Sequence, residues 1–223
     1  MDKSLANKIL EQVRKDAIKR KFSQSVDFII NLKDLDLKKP ENQLDLFISL
    51  PHVRGKKVKT CAIIGGELAA TAKENCDLVI SNDQFPRYTG NKKEIKKLAN
   101  EYDFFIAQAN IMPEIAKIFG SVLGPRKRMP NPKAGCVVPP NANLKILVDR
   151  LQKTVRVQAK TEYSMKCSVG LESMSNEQLS DNLVAIYNAI VGALPSEKNN
   201  IKNMSLKLTM GKPVKISEEV KNK

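Results

Sequence analysis

Two hydrophobic rhythms share this chain, and the switch between them limits the folds open to it. Near the N-terminus, Val26, Phe28, Ile30 and Leu32 alternate with Asp27, Ile29 and Asn31. Leu44, Leu46, Ile48 and Leu50 likewise alternate with Asp45, Phe47 and Ser49. Successive side chains of a strand point to opposite faces, so a period of two marks strands with one buried face. From about residue 57 the pattern changes. Strands over 57–64, 78–81 and 102–107 alternate with helices over 65–75, 91–100, 112–119 and 143–153. Such alternation builds a parallel sheet covered by helices. After residue 155 the first rhythm returns, with strands over 155–159 and 164–169, read as a hairpin, and a last strand over 204–210. Between them, 175–192 is a helix with a Ser175/Gln178 capping box and an apolar face of Leu179, Leu183, Ile186 and Ile190.

A helix over 3–20 opens the chain, with Leu5, Ile9 and Val13 on one face. Arg14, Lys15, Lys19, Arg20 and Lys21 crowd its end, where cations suit the helix dipole. The economical architecture is α/β with two domains. Residues 1–64 and 156–223 make a split α+β domain from both termini, and residues 65–155 make an inserted three-layer, Rossmann-like α/β domain.

Charge narrows the partners. The 38 Lys and Arg against 24 Asp and Glu leave +14. The excess is +6 over residues 1–64, +5 over 65–155 and +3 over 156–223, so the whole folded body is basic. Such a surface favours polyanionic partners: nucleic acid, an anionic membrane surface or an acidic protein. No apolar run approaches the ~20 residues that span a bilayer, so no membrane partner is expected. The N-terminus lacks the apolar stretch of a secretion signal. Cys61, Cys76, Cys136 and Cys167 are widely spaced and free of any C-x-x-C pair, which points to reduced thiols and the cytoplasm.

Catalytic chemistry finds little footing. His52 is the one histidine, with no nucleophile motif beside it, and a general base needs an oriented partner. One His with scattered Cys does not offer a convergent metal-ligand set. Gly65-Gly66 follows a strand and opens a helix, as a phosphate-binding turn does, but the glycine fingerprints of nucleotide sites are missing. No catalytic residue, cofactor or metal is expected. Two loops remain. Phe119-Gly120-Ser121-Val122-Leu123-Gly124-Pro125-Arg126-Lys127-Arg128-Met129-Pro130-Asn131-Pro132-Lys133-Ala134-Gly135 reads either as a pre-shaped basic finger for phosphates or as a solvated connection. Thr209-Met210-Gly211-Lys212-Pro213 reads either as a close-approach contact with a phosphate-reaching lysine or as a turn before a closing strand.

Three motifs together resemble the first-numbered (L one) family of the large ribosomal subunit. They are Lys21-Phe22-Ser23-Gln24-Ser25-Val26, Leu123-Gly124-Pro125-Arg126 with Met129-Pro130-Asn131-Pro132-Lys133-Ala134-Gly135, and Thr209-Met210-Gly211. Leu50-Pro51-His52 also sits where the family has it, and the basic Arg126-Lys127-Arg128 filling is more like the archaeal or eukaryotic branch. The resemblance implies two domains joined by a hinge, a mobile stalk near the tRNA exit site, and no enzymatic activity. It implies an RNA site at Lys21, Phe22, Ser25 and Asp27, with Lys166, Ser168, Thr209, Met210, Gly211, Lys212 and Pro213 opposite. Implied partners are large-subunit rRNA, exit-site tRNA and, in prokaryotes, the protein's own mRNA, with the free protein a monomer. The inserted domain is expected to touch RNA more weakly. Asn203 and Lys207 depart from the family's Ser/Thr-rich final strand. The alternatives are a general basic RNA-binding protein outside the ribosome and an enzyme using the Gly65-Gly66 turn for a nucleotide.

Overall fold

The computed structural model describes residues 1–18 and 20–216. Its helices are α1 (Lys3–Lys15), α2 (Ala69–Asn75), α3 (Phe85–Tyr88), α4 (Lys92–Glu101), α5 (Met112–Leu123), α6 (Leu144–Gln152) and α7 (Asn176–Ala193). Its strands are β1 (Ser25–Leu32), β2 (Leu44–Ser49), β3 (Thr60–Ile64), β4 (Leu78–Ser81), β5 (Phe104–Gln108), β6 (Val137–Val138), β7 (Thr154–Ala159), β8 (Ser164–Leu171), β9 (Ile201–Leu208) and β10 (Val214–Ile216). Contacts divide the chain into two compact units, Met1–Lys56 with Lys153–Lys223, and Lys57–Gln152.

The first unit is built on an antiparallel sheet in the order β10-β9-β1-β8, with a separate ribbon of β2 and β7. The alternation in β1 sets this sheet. Val26, Phe28, Ile30 and Leu32 are buried, while Ser25, Asp27, Ile29 and Asn31 face outward, half-buried. Phe28 lies opposite Cys167 of β8 on one side and Leu206 of β9 on the other. Helices α1 and α7 pack on each other, and Ala6, Ile9, Leu10 and Val13 join Leu179, Leu183, Ile186 and Ile190 in one core. The α7 capping box forms as its sequence predicts: the Gln178 N–H donates to Ser175 Oγ (3.3 Å) and the Ser175 N–H to Gln178 Oε1 (3.4 Å). A cap of this kind stabilises a helix by about 1 kcal/mol.

The second unit is a parallel sheet in the order β4-β3-β5-β6. Cys61 and Ile63 of β3 meet a core with Phe85, Ile95, Ile115 and Phe119 of α3, α4 and α5. Ala62 and Ile64, which alternate with them, are fully buried on the opposite face, and α2 packs with α6. This is the three-layer α/β arrangement expected. At its base the Gln152 amide bonds both main-chain groups of Val58: the Val58 N–H donates to Oε1 (2.9 Å) and Nε2 donates to the carbonyl (2.8 Å).

Four expectations change. The units exchange at Lys56/Lys57 and Gln152/Lys153, not after residues 64 and 155. The strand Thr60–Ile64 is buried on both faces and needs a neighbour on each side, which only β4 and β5 supply. The predicted hairpin of β7 and β8 does not form, because β7 pairs with β2 and β8 with β1. Met165, Cys167 and Val169 share the core of Val26, Phe28 and Ile30, and the observed pairing buries both rows together. Helix α1 stops at Lys15, so Arg20 and Lys21 lie beyond it and the dipole does not account for them; Lys19 lies outside the described residues. The last predicted strand ends at Leu208, leaving Thr209 and Met210 in a turn that leads to β10.

Candidate nucleic-acid interface

The outward face of the antiparallel sheet is polar and basic. Asp27 of β1 stands opposite Ser168 of β8 and Lys207 of β9. Ile29, two residues on, stands opposite Lys166 and Ser205. Asp27, Ile29, Lys166, Cys167, Ser168 and Lys207 line a depression of about 390 Å³. Two lysines over one carboxylate leave its floor net positive. The Cys167 thiol is pushed up to about 12, chiefly by burial and further by Asp27, so it takes no part as a nucleophile.

At the end of this face the two chain ends are stitched together. The Ser25 N–H donates to Thr209 Oγ1 (3.0 Å), and the Thr209 N–H donates to the Ser25 carbonyl (3.0 Å). Ser25 Oγ donates to Asp27 Oδ1 (2.8 Å). The Met210 N–H donates to Gln24 Oε1 (3.2 Å). Beside these bonds Phe22 is 52% exposed and Met210 is 60% exposed. Lys21, Lys212 and Pro213 are exposed on the same two loops. Gly211 closes the turn by donating its N–H to the Leu208 carbonyl (2.9 Å), and an added Cβ there would meet Leu208 Cβ at 3.3 Å.

The residues implied by the resemblance thus lie on one face and one end of a single sheet. Sequence reasoning passed over three neighbours. Lys207 and Ile29 complete the depression; the period-two pattern through Asp27 is the signal for Ile29, while Lys207 stands out only as a departure from the family's final strand. Gln24 is buried, and no local pattern marks it. At Asn203, noted only as a departure, the side chain accepts a bond from Asn31 Nδ2 (2.6 Å) on this face.

The basic loop after α5 is not an extended finger. The Arg126 guanidinium donates to the Asn100 side chain, and Arg128 donates to the carbonyl of Asp103, folding the loop onto its own unit. A freer positive surface of that unit is on α4, where Lys92, Lys93, Lys96 and Lys97 are all exposed. The acids of that helix face other cations: Glu94 lies 3.6 Å from Arg87, and Glu101 lies 3.3 Å from Lys59.

Two other candidates resolve into structural roles. The His52 main chain is held by Asn182, whose Oδ1 accepts the His52 N–H (3.0 Å) and whose Nδ2 donates to the His52 carbonyl (3.1 Å). His52 Nε2 lies 3.2 Å from Asp181 Oδ2, and Lys3 Nζ lies 2.6 Å from the other oxygen. Lys3 first, then His52, holds the Asp181 carboxyl below its ordinary range. At the Gly65-Gly66 turn, the Gly65 N–H donates to the buried Gln108 side chain (2.8 Å). The sheet order reverses between β3 and β5, where a nucleotide would sit. The Gly65 amide at that turn is thus engaged within the protein. Among the described residues no cluster of His, Cys, Asp and Glu could hold a metal, and no helix is long and apolar enough to cross a membrane.

The model of the Ribosomal protein L1p/L10e family matches residues 13–212. The chain belongs to this family. Large ribosomal subunit protein uL1 of Methanothermococcus thermolithotrophicus is 44% identical over 218 residues, covering 98% of this chain and 100% of the relative. The proteins of that name from Thermofilum pendens and Methanocaldococcus jannaschii are 41% and 40% identical, covering 96% and 98% of this chain and 95% and 98% of their own lengths. These relatives are archaeal, within the archaeal or eukaryotic branch that the basic Arg126-Lys127-Arg128 filling suggests. A member of the L1p/L10e family is a structural ribosomal protein of the cytoplasm and not an enzyme.

Proposed function

We propose that this protein is a component of the large ribosomal subunit that grips a folded rRNA element and forms the mobile stalk near the tRNA exit site. The carrying observation is the seam of Ser25 with Thr209 and of Gln24 with Met210, beside the basic depression of Lys166 and Lys207. Single-stranded and bulged RNA is read by shape, 2′-hydroxyls and stacking of unpaired bases. Ser25, Asp27, Ser168 and Thr209 offer hydroxyls and a carboxylate to sugar edges. Lys21, Lys166 and Lys212 offer charge to phosphates, and Phe22 and Met210 offer apolar contact. The turn Gly211-Lys212-Pro213 lets the RNA backbone approach closely. Lys92, Lys93, Lys96 and Lys97 of α4 support a weaker, sequence-independent contact by the second unit.

In this reading the free protein is a monomer in two domains. It contacts departing tRNA and represses its own mRNA by offering one site to two RNAs. The test is competition between a stalk rRNA fragment and unrelated RNA at elevated salt. Preference for the stalk fragment, lost in Thr209→Glu and Met210→Glu, supports the reading. Equal affinity for both RNAs points to a general basic RNA binder instead, which the evenly spread +14 charge would also serve.

A further inference from the structure

We infer that Gln24 is the positioning residue of this RNA site, and that Ile18, Phe22 and Met210 form an apolar platform for one unstacked base. This rests on the RNA-binding reading above and adds a ligand group and two residues to it. Gln24 is 1% exposed, although glutamine is rarely buried. Both ends of its side-chain amide are engaged. Nε2 donates to the Ile18 carbonyl (3.2 Å), and Oε1 accepts the Met210 N–H (3.2 Å). Its own carbonyl accepts the Glu172 N–H (2.8 Å). One residue therefore fastens three segments: the chain leaving α1, the turn after β9 and the turn after β8. No two of these segments are neighbours in sequence, so nothing local fixes their spacing.

What these segments carry is unusual for a basic surface. Ile18 is 65% exposed, Phe22 is 52% and Met210 is 60%, three of the six exposed large apolar side chains among the described residues. Ile18 and Met210 are held through their own main-chain atoms by the Gln24 amide, and Phe22 lies two residues before it. Exposed apolar side chains gathered in one place mark a contact surface. The flanking residues Arg20, Lys21 and Lys212 are cations, so the occupant is polyanionic as well as apolar. An unstacked base on a phosphate backbone meets both conditions, and every base has a face that stacks on an aromatic ring. Gln24 thus acts before binding, by holding Met210 and Ile18 at a fixed spacing so that the RNA need not order them.

Gln24→Met keeps the length and burial of the side chain and removes both bonds. The expected result is roughly tenfold or greater loss of affinity for the stalk rRNA fragment. Binding of unrelated RNA and its salt slope should not move. Without RNA, the Met210 amide should exchange with solvent faster, and the melting temperature should fall by roughly 4–10 °C as two main-chain groups lose their partner. A folded Gln24→Met protein with wild-type affinity, or with Met210 amide exchange unchanged, overturns the positioning role. Ile18→Ser touches no internal bond and keeps the platform testable if Gln24→Met does not fold. It should lose several-fold in affinity for the fragment, and unchanged affinity overturns the platform. Amide exchange at Met210 is read without RNA, so failure of the proposed site at Thr209→Glu is distinguishable from failure of the clamp.

Discussion

Ser25 and Thr209, 184 positions apart, are joined by main chain and side chain at once. Each N–H reaches the other residue, and the two hydroxyl oxygens are 3.0 Å apart. Because Ser25 Oγ donates its proton to Asp27, the Thr209 hydroxyl is the donor between them or turns to the Ser25 carbonyl at 3.3 Å. The seam therefore sets the rotamer of Asp27 as well as the turn. Thr209→Val keeps the shape and leaves the Ser25 N–H without its acceptor. We expect a stability loss of about 1 kcal/mol, since the site is exposed to water. Affinity for stalk rRNA should fall by a larger factor, seen as a fall in binding that the small shift in urea midpoint does not explain.

Asn182 is fully buried, and its amide bonds the His52 N–H, the His52 carbonyl and the Val169 carbonyl. Asn182→Leu leaves three main-chain groups without that partner. A loss of roughly 3 kcal/mol or more is expected, because unsatisfied buried polar groups carry their full desolvation cost. Chemical denaturation measures it. His52→Ala should cost far less, because the main-chain bonds survive.

Acid should weaken the β2–β7 ribbon. Arg156 donates to both Asp45 oxygens (2.9 and 2.8 Å), and Lys160 lies 2.9 Å from Asp45 Oδ2. The Arg156 bonds, with Lys160 assisting against the cost of burial, lower the Asp45 carboxyl from 3.8 to about 2. A folded value below the unfolded one means that the stabilisation is complete above about pH 4. It is lost as pH falls from there through about 2. Asp45→Asn should flatten that part of the stability–pH curve, measured by urea unfolding at stepped pH. An unchanged slope between pH 4 and 2 would sink this assignment.

Replacing Lys92, Lys93, Lys96 and Lys97 with Gln should lower the salt dependence of RNA binding by up to about 0.9 for each phosphate that these lysines neutralise. Preference for the stalk fragment should remain. Stability should hold or rise slightly, because Lys92/Lys96 and Lys93/Lys97 are like-charge pairs four apart, each unfavourable by about 0.2–0.5 kcal/mol. Titrations at several salt concentrations give the slope.

Sequence alone revealed whatever a single segment decides. The outward row of β1 and the capping box of α7 were legible because period and spacing are local properties. The start of the inserted unit was not. β3 is apolar on both faces, so it shows no alternation to distinguish it from its neighbours. The β7–β8 hairpin was a reasonable inference from adjacency, and the burial of Met165 and Cys167 against Phe28 overrode it. Gln24 was invisible as a site residue for the same reason. Its importance comes from three segments that meet only in the folded unit.

The strand order β10-β9-β1-β8 carries a consequence for synthesis. Strand β1 is made early, yet both of its neighbours come from the last part of the chain. At about 5–20 residues per second, roughly ten to thirty-five seconds separate the appearance of β1 from that of β9. During that interval the contiguous stretch Lys57–Gln152 can close its own parallel sheet while β1 waits for partners. The seam of Ser25 with Thr209 cannot exist on a chain that stops before Thr209. On the proposed reading, selective RNA binding therefore requires synthesis past Thr209, and a product terminated earlier carries positive charge without the seam.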